Sequence, residues 1–187
     1  MKNLIVIVFL LVTGIIFAQN DNVLIKKNEI KGNAFNIIVF KAADFSYEYL
    51  IDSESSVGAS ILINLQDSDS DNGPYYNEEF AFTPFYRRYF SSKYAWGFFL
   101  ETFGMINVQD EYDSFYYDYV PYPEATIHSD GNSTNVALGI SIGGKFVSEK
   151  GFVFEFFGGA GRNVYQSDEV YSTELVPRLG ASFGYRW

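Results

Sequence analysis

Hydrophobic and polar residues alternate along most of the chain with the period of two that indicates β-strands with two different faces. The last ten residues show this pattern most clearly. One face carries Leu179, Ala181, Phe183, Tyr185 and Trp187, and the other carries Arg178, Gly180, Ser182, Gly184 and Arg186. An apolar, aromatic face opposite a small or charged face is typical of a barrel strand that has lipid outside and a packed polar interior.

Eight segments of this kind are separated by residues that favour turns. They predict strands at residues 29–39, 43–49, 57–65, 79–89, 96–108, 135–147, 152–164 and 174–187. The first segment is the least regular, and no segment shows the periodicity of an amphipathic helix. We therefore predict an all-β fold, an eight-stranded antiparallel up-and-down transmembrane β-barrel, as one domain over residues 19–187.

The connections between these strands fall into two classes. Residues 51–56, 90–95 and 148–151 form short connections, whereas residues 66–78, 109–134 and 165–173 form long ones, and a tight hairpin is predicted at residues 40–42. The long connections hold 12 of the 23 acidic residues and contain no Lys or Arg. Outer-membrane barrels have short periplasmic turns and long external loops, so both termini are predicted to be periplasmic.

Residues 1–18 have the features of a secretory signal peptide. Lys2 precedes an apolar stretch at residues 4–17, and Ala18 offers a cleavage point before Gln19. The chain has no cysteine, and its hydrophobic content of 48% coexists with a mean hydropathy of -0.03 because apolar and polar residues alternate. A net charge of -10 argues against a nucleic-acid partner. We expect a location in the outer membrane of a Gram-negative bacterium.

If the apolar faces contact lipid, a set of charged side chains is expected to point into the barrel. This set is Glu48, Arg87, Glu101, Lys145, Glu155, Arg178 and Arg186. Unpaired charges would be very costly in a narrow interior, so we expect hydrogen-bonded ion pairs beside small residues such as Gly139, Gly143 and Gly180. The orientation of Arg87 and Glu101 stays open because both faces of their strands carry aromatic residues. An ion-selective pore is the alternative interpretation.

One long connection contains a possible calcium site. Asp67, Asp69, Asp71 and Glu78 have the spacing of oxygen ligands in a calcium-binding loop. Asn72 occupies the position at which such a loop needs glycine, and the flanking segments are strands rather than helices. A solvated acidic loop is therefore the competing interpretation, and no other cofactor is predicted.

The connection at residues 109–134 is unusually long and rich in tyrosine and acidic residues, which suits a recognition surface or a cover over the barrel mouth. It contains His128, the only histidine, next to Ser129. Neighbouring residues of an extended segment project to opposite sides, which is poor geometry for a Ser–His pair. The chain is therefore predicted not to be an enzyme.

Several stretches resemble the small outer-membrane β-barrel proteins of Bacteroidetes, which are similar in shape to the OmpA-type transmembrane domain. They are the signal segment, the alternating strands, the Pro-Phe-Tyr-Arg-Arg-Tyr-Phe stretch at residues 84–90, the Gly-Phe-Phe stretch at 97–99 and the terminal Tyr-Arg-Trp at 185–187. The resemblance implies contact with membrane lipid and recognition of Tyr185 and Trp187 by the barrel-assembly machinery. It implies no catalytic residues.

These observations together predict a non-enzymatic outer-membrane barrel. Its acidic, aromatic loops would contact another outer-membrane or surface protein, for example as an accessory subunit of a complex. Two alternatives remain open at this point. One is a narrow channel for small solutes or ions, and the other is a secreted lipocalin-like protein whose apolar face surrounds a ligand.

Overall fold

The computed structural model describes residues 26–65, 78–109, 132–167 and 174–187. Its elements are β1 Asn28–Asn33, α1 Ala34–Phe40, β2 Ala42–Leu50, β3 Ser55–Asn64, β4 Glu78–Tyr89, β5 Gly97–Gln109, β6 Ser133–Val147, β7 Phe152–Gln166 and β8 Leu175–Arg186. Each strand pairs with the next in antiparallel fashion, and β8 pairs with β1 to close a barrel. The predicted eight-stranded up-and-down barrel is confirmed. Within the described ranges, no helix has the length and apolar character needed to cross a bilayer.

The two ends of the barrel differ in their connections. Residues 51–54, 90–96 and 148–151 join strands at the end where β1 begins and β8 finishes, which we call the terminal end. The opposite end, which we call the loop end, carries α1 and the three long connections. Short and long connections therefore lie on opposite sides, as predicted.

The first predicted strand is wrong in its second half. Residues 34–40 form α1, so the connection to β2 is a helical turn rather than a tight hairpin. Ile37, Ile38 and Val39 are residue types that favour strands, which explains the error. The helix forms because Asn33 is an N-cap, accepting a hydrogen bond from Asn36 N at 3.4 Å, and because Lys41 ends it in the left-handed conformation.

Asn33 also completes the wall where β1 stops. The β1–β8 ladder ends at the pair Asn33 and Ser182. Beyond it, the Asn33 Nδ2 donates to Leu179 O at 3.1 Å and its Oδ1 accepts from Ala181 N at 3.2 Å. The side-chain amide thus acts as one more peptide unit. The backbone groups of Leu179 and Ala181 point towards β1, and those of Pro177 point the same way because the direction alternates along a strand. At Pro177 the strand β1 has already ended, so no ladder hydrogen bond is lost for want of an N–H and proline is tolerated.

The two faces of the wall differ in chemistry all round the described barrel. Inward positions carry charged, polar, small and aromatic side chains with a few aliphatic ones such as Leu50, Leu62 and Val176, and they are mostly buried. Most large aliphatic and many aromatic side chains point outward and are exposed. The strand registers connect outward residues into a continuous apolar row. From β2 to β7 this row is Phe45, Ile61, Phe82, Ile106, Val136 and Tyr165.

Four inward phenylalanines each face a glycine on the neighbouring strand. The pairs are Phe85 with Gly58, Phe99 with Gly143, Phe103 with Gly139, and Phe157 with Gly180. A methyl group added at any of these glycines would come within 3.0 Å of the facing ring. An eight-stranded barrel is just wide enough for its own side chains, so a large ring requires the smallest residue opposite. Rings, rather than the long charged side chains that we expected, therefore occupy the space beside Gly139, Gly143 and Gly180.

We expect Gly143→Ala to lower the free energy of unfolding by about 1–3 kcal/mol, because its methyl group would overpack the barrel against Phe99. The matched control is Gly104→Ala. Gly104 faces outward, and its nearest side-chain neighbour would lie 3.7 Å from the new methyl group. Urea titration of both folded variants measures the difference. Equal stability of the two variants would show that the interior has room to spare.

Candidate functional site: the charged interior

The seven charged residues predicted to point inward all lie inside the barrel and are buried. Arg87 and Glu101, whose orientation the sequence left open, are among them. The structure adds Glu29 and Lys31, which the sequence analysis missed. Both residues lie on the inward face of β1, on either side of the outward Ile30. Their spacing of two residues could have predicted this orientation, but the first segment as a whole does not alternate regularly.

Glu48 on β2 is the centre of this cluster. One carboxylate oxygen accepts from Lys31 Nζ, from Arg87 Nη1 at 2.9 Å and from Lys145 Nζ at 2.8 Å. The other accepts from two hydroxyls, Ser56 Oγ at 2.6 Å and Tyr89 Oη at 2.5 Å. Five donors from four other strands therefore meet on one side chain.

Arg87 on β4 links three carboxylates. In addition to Glu48, its Nη1 contacts Glu155 Oε2 at 2.8 Å, and its Nε contacts Glu101 Oε2 at 2.6 Å. Glu101 receives a second guanidinium, because Arg178 Nε lies 2.9 Å from its other oxygen. The guanidinium of Arg87 also lies 4.5 Å and 4.4 Å from the ring centres of Phe85 and Phe99. Ion pairing and cation–π contacts thus hold the same group in place.

The cluster continues to the terminal end, where it meets the connection at residues 90–96. Glu29 binds Lys145 at 2.7 Å and Arg186 at 2.6 Å. Arg186 then donates to Tyr94 O at 3.1 Å and to Ala95 O at 2.8 Å. Because Arg186 belongs to β8 and residues 90–96 join β4 to β5, the connection reaches across the end of the barrel. Ala95 is fully buried there, in a left-handed backbone conformation.

The charges of the cluster nearly balance. Among the described residues, four glutamates (Glu29, Glu48, Glu101 and Glu155) meet five cations (Lys31, Arg87, Lys145, Arg178 and Arg186). Each glutamate contacts at least two cations within 4.0 Å. Such mutual compensation is what makes so many buried charges tolerable.

A layer of amides fills the interior nearer the loop end, and the sequence analysis missed it. Asn135 Nδ2 donates to Asn107 Oδ1 at 3.1 Å and to Gln109 Oε1 at 3.3 Å. Ser133 Oγ donates to Asn135 Oδ1 at 2.8 Å. These residues lie an even number of positions from Glu101 or Lys145 on the same strands, so the alternation of the strands could have predicted that they point inward.

A cavity of about 10 Å³ between Asp44, Thr83 and Arg178 has room for roughly one water molecule.

The possible calcium site lies mostly outside the described residues. Asp67, Asp69, Asp71 and His128 are not among the described residues. The same holds for residues 1–25, which include the predicted signal peptide, and for residues 66–77 and 110–131 of two long connections. Glu78 is described, and it is the buried first residue of β4, with a hydrogen bond from Gln109. Across the described ranges, no group of three or more His, Cys, Asp or Glu side chains is placed to hold a metal ion.

Tyr185 and Trp187 end the chain on the outward side of the wall. Tyr185 packs edge-on against Phe152, with ring centres 5.8 Å apart. The backbone of Trp187 exchanges hydrogen bonds with Asn28 at 2.9 Å and 3.2 Å, so the last residue is held against the first strand. Recognition of these two residues by assembly machinery stays a prediction.

Comparisons with protein-family profiles, characterised proteins and solved structures find no match to this chain. The interior must therefore be interpreted from its own contacts. The carboxylates of the charged cluster are saturated with cationic and hydroxyl donors, and four phenylalanine rings are packed on glycines. This arrangement suits a rigid filling that braces the wall.

We expect Glu48→Gln to destabilise the barrel by about 3–5 kcal/mol, because it leaves Lys31, Arg87 and Lys145 buried without their shared counter-charge. Urea titration of the folded protein measures this change.

Glu54→Gln is the matched control. Glu54 also pairs with an arginine, Arg88, at 2.5 Å, but about half of each side chain is exposed. Its loss should cost less than about 1 kcal/mol. If both substitutions cost the same, the interior cluster would not be the main electrostatic support of the fold.

Proposed function

We propose that this chain is a non-enzymatic outer-membrane β-barrel of a Gram-negative bacterium, whose wall presents the long acidic, aromatic connections to a partner protein at the cell surface. The continuous apolar row on the outside of the barrel is the observation that carries this proposal. Rows of isoleucine and phenylalanine facing water across six strands would be unfavourable, and soluble monomers rarely expose large apolar patches. Hydrocarbon would remove that cost.

The interior supports the same interpretation. A lipocalin-like protein would place its apolar face around a ligand, whereas here the charged and polar side chains occupy the inside. The packed ion pairs and the connection at residues 90–96 favour a closed structural barrel over a narrow channel. Function is then carried by the surface connections rather than by the interior.

Orientation follows from the lengths of the connections. Barrels of this class place short turns in the periplasm and long loops outside. The terminal end would therefore face the periplasm, and the loop end, with the acidic and tyrosine-rich segments, would face the exterior. A partner that presents basic or aromatic side chains would complement these segments.

We expect Ile140→Lys to destabilise the folded protein in lipid vesicles by about 2–4 kcal/mol, because Ile140 lies midway along β6 and would meet the centre of the bilayer. Leu175→Lys, at the loop end of β8, should cost only about 0–1 kcal/mol. The two wild-type residues are 61% and 62% exposed, so exposure alone predicts equal effects. Urea unfolding in vesicles measures both.

Two results would contradict membrane insertion. One is equal and small effects of the two lysines, as expected for a wall that faces water. The other is release of the wild-type protein from membranes by urea without unfolding. Either result would favour the soluble, lipocalin-like alternative.

Contact with a surface partner can be tested in cells of the native host with a photoreactive amino acid at Tyr117, in the tyrosine-rich connection. We expect a discrete crosslinked protein adduct that diminishes when the neighbouring Asp113 and Asp118 are changed to asparagine. The control places the same probe at Ile140, which should crosslink lipid but no protein. Protein adducts at Ile140 and none at Tyr117 would place the partner on the wall instead.

A further inference from the structure

Three lysines at the terminal end each lie over an aromatic ring that faces outward. Lys26 Nζ is 5.3 Å from the ring centre of Tyr185, and Lys27 Nζ is 6.0 Å from that of Tyr49. Lys93 Nζ is 5.0 Å from the ring centre of Trp96. We call Lys26, Lys27 and Lys93, with these three rings, the lysine rim. It occupies two separate parts of the circumference, one around β1 and the other at the β4–β5 connection.

The described residues provide no counter-charge for the ammonium groups of the rim. In the described part of the chain, none of the three has a carboxylate within 4.0 Å. The acids of the nearby β2–β3 turn are engaged locally. Asp52 accepts from Glu54 N at 2.8 Å, a bond that lowers the pKa of Asp52, and Glu54 pairs with Arg88.

Trp96 adds an independent observation. Its indole Nε1–H is buried and has no hydrogen-bond acceptor among the described residues. A buried donor without an acceptor is costly, and tryptophan near a membrane surface commonly donates to groups in the wet layer. An oxygen-bearing anion held by Lys93 would satisfy this donor when the side chains that cover the indole N–H move aside.

We propose that the lysine rim binds the phosphate groups of anionic phospholipids in the leaflet nearest the termini. This inference rests on the proposed membrane location. Outward tyrosine and tryptophan rings at strand ends mark the level at which hydrocarbon gives way to head groups. An ammonium directly over such a ring lies at the depth of a lipid phosphate, which favours a lipid over free phosphate in solution.

The distribution of charge supports an anionic rather than a zwitterionic lipid. The long connections at the opposite end contain acidic residues and no Lys or Arg, so the barrel is electrostatically polarised along its axis. Each lysine near an anionic surface strengthens binding by roughly fivefold. Phosphatidylglycerol is the simplest lipid with this chemistry and is the probe for the test.

The experiment is native mass spectrometry of the full chain folded in a neutral detergent and titrated with phosphatidylglycerol or phosphatidylcholine. We expect tighter binding of phosphatidylglycerol, and an apparent Kd that rises on the order of 100-fold in the Lys26→Gln/Lys27→Gln/Lys93→Gln variant. The Lys26→Arg/Lys27→Arg/Lys93→Arg variant should retain the preference, because it keeps the charge. Trp96→Phe should weaken binding by a smaller factor.

Lys41→Gln is the matched control, because it removes an exposed lysine at the loop end and should leave the Kd unchanged. If the wild-type chain inserts into vesicles but binds both lipids equally, the inference is overturned and the proposed function stands. Equal loss of binding in Lys41→Gln and in the rim variant would also overturn it. If the chain does not insert into vesicles, the proposed function and this inference fail together. Single lysine-to-glutamine variants give the same comparison if the triple variant does not fold.

Discussion

The width of the closed barrel is the constraint on which the rest of the structure depends. Eight strands enclose a space that their own side chains just fill. Four inward phenylalanines consequently face glycines, and Glu29, Glu48, Glu101 and Glu155 each meet cations from other strands. Glu48 and Arg87 are central because each joins groups that are far apart in the chain but lie at the same depth. Their contacts close the interior and brace opposite walls at once.

This filling also explains the outside of the barrel. Because ions, amides, aromatic rings and a few aliphatic side chains such as Leu50, Leu62 and Val176 fill the interior, the remaining aliphatic side chains have no core to enter and point outward. The outward row from Phe45 to Tyr165 is the result. A hydrocarbon solvent for this surface is the physical basis of the proposed membrane location, and the lysine rim would mark the edge of that solvent.

Much of the site could be predicted from strand parity alone. The side chains of Lys145 and Arg178 were assigned to the interior because their strands alternate cleanly, and the structure places them there. Parity failed where a strand was misjudged or both faces looked alike. Glu29 and Lys31 were missed because the run Ile37-Ile38-Val39 suggested one long strand, and over that length the residues do not alternate regularly. The strand in fact stops at Asn33, whose side-chain amide caps a helix. The amide layer was missed because asparagine and glutamine are common in loops as well as in interiors.

The amino-acid sequence by itself determined the number of strands, the two faces of those strands that alternate cleanly, and the sides on which short and long connections lie. These properties depend on neighbours two residues apart and on local turn chemistry. Only the tertiary structure decided which charges pair, that Arg186 holds the connection at residues 90–96 across the terminal end, and that Asn33 completes the wall beside β8. Those contacts join residues up to 157 positions apart, and their geometry exists only once the barrel has closed.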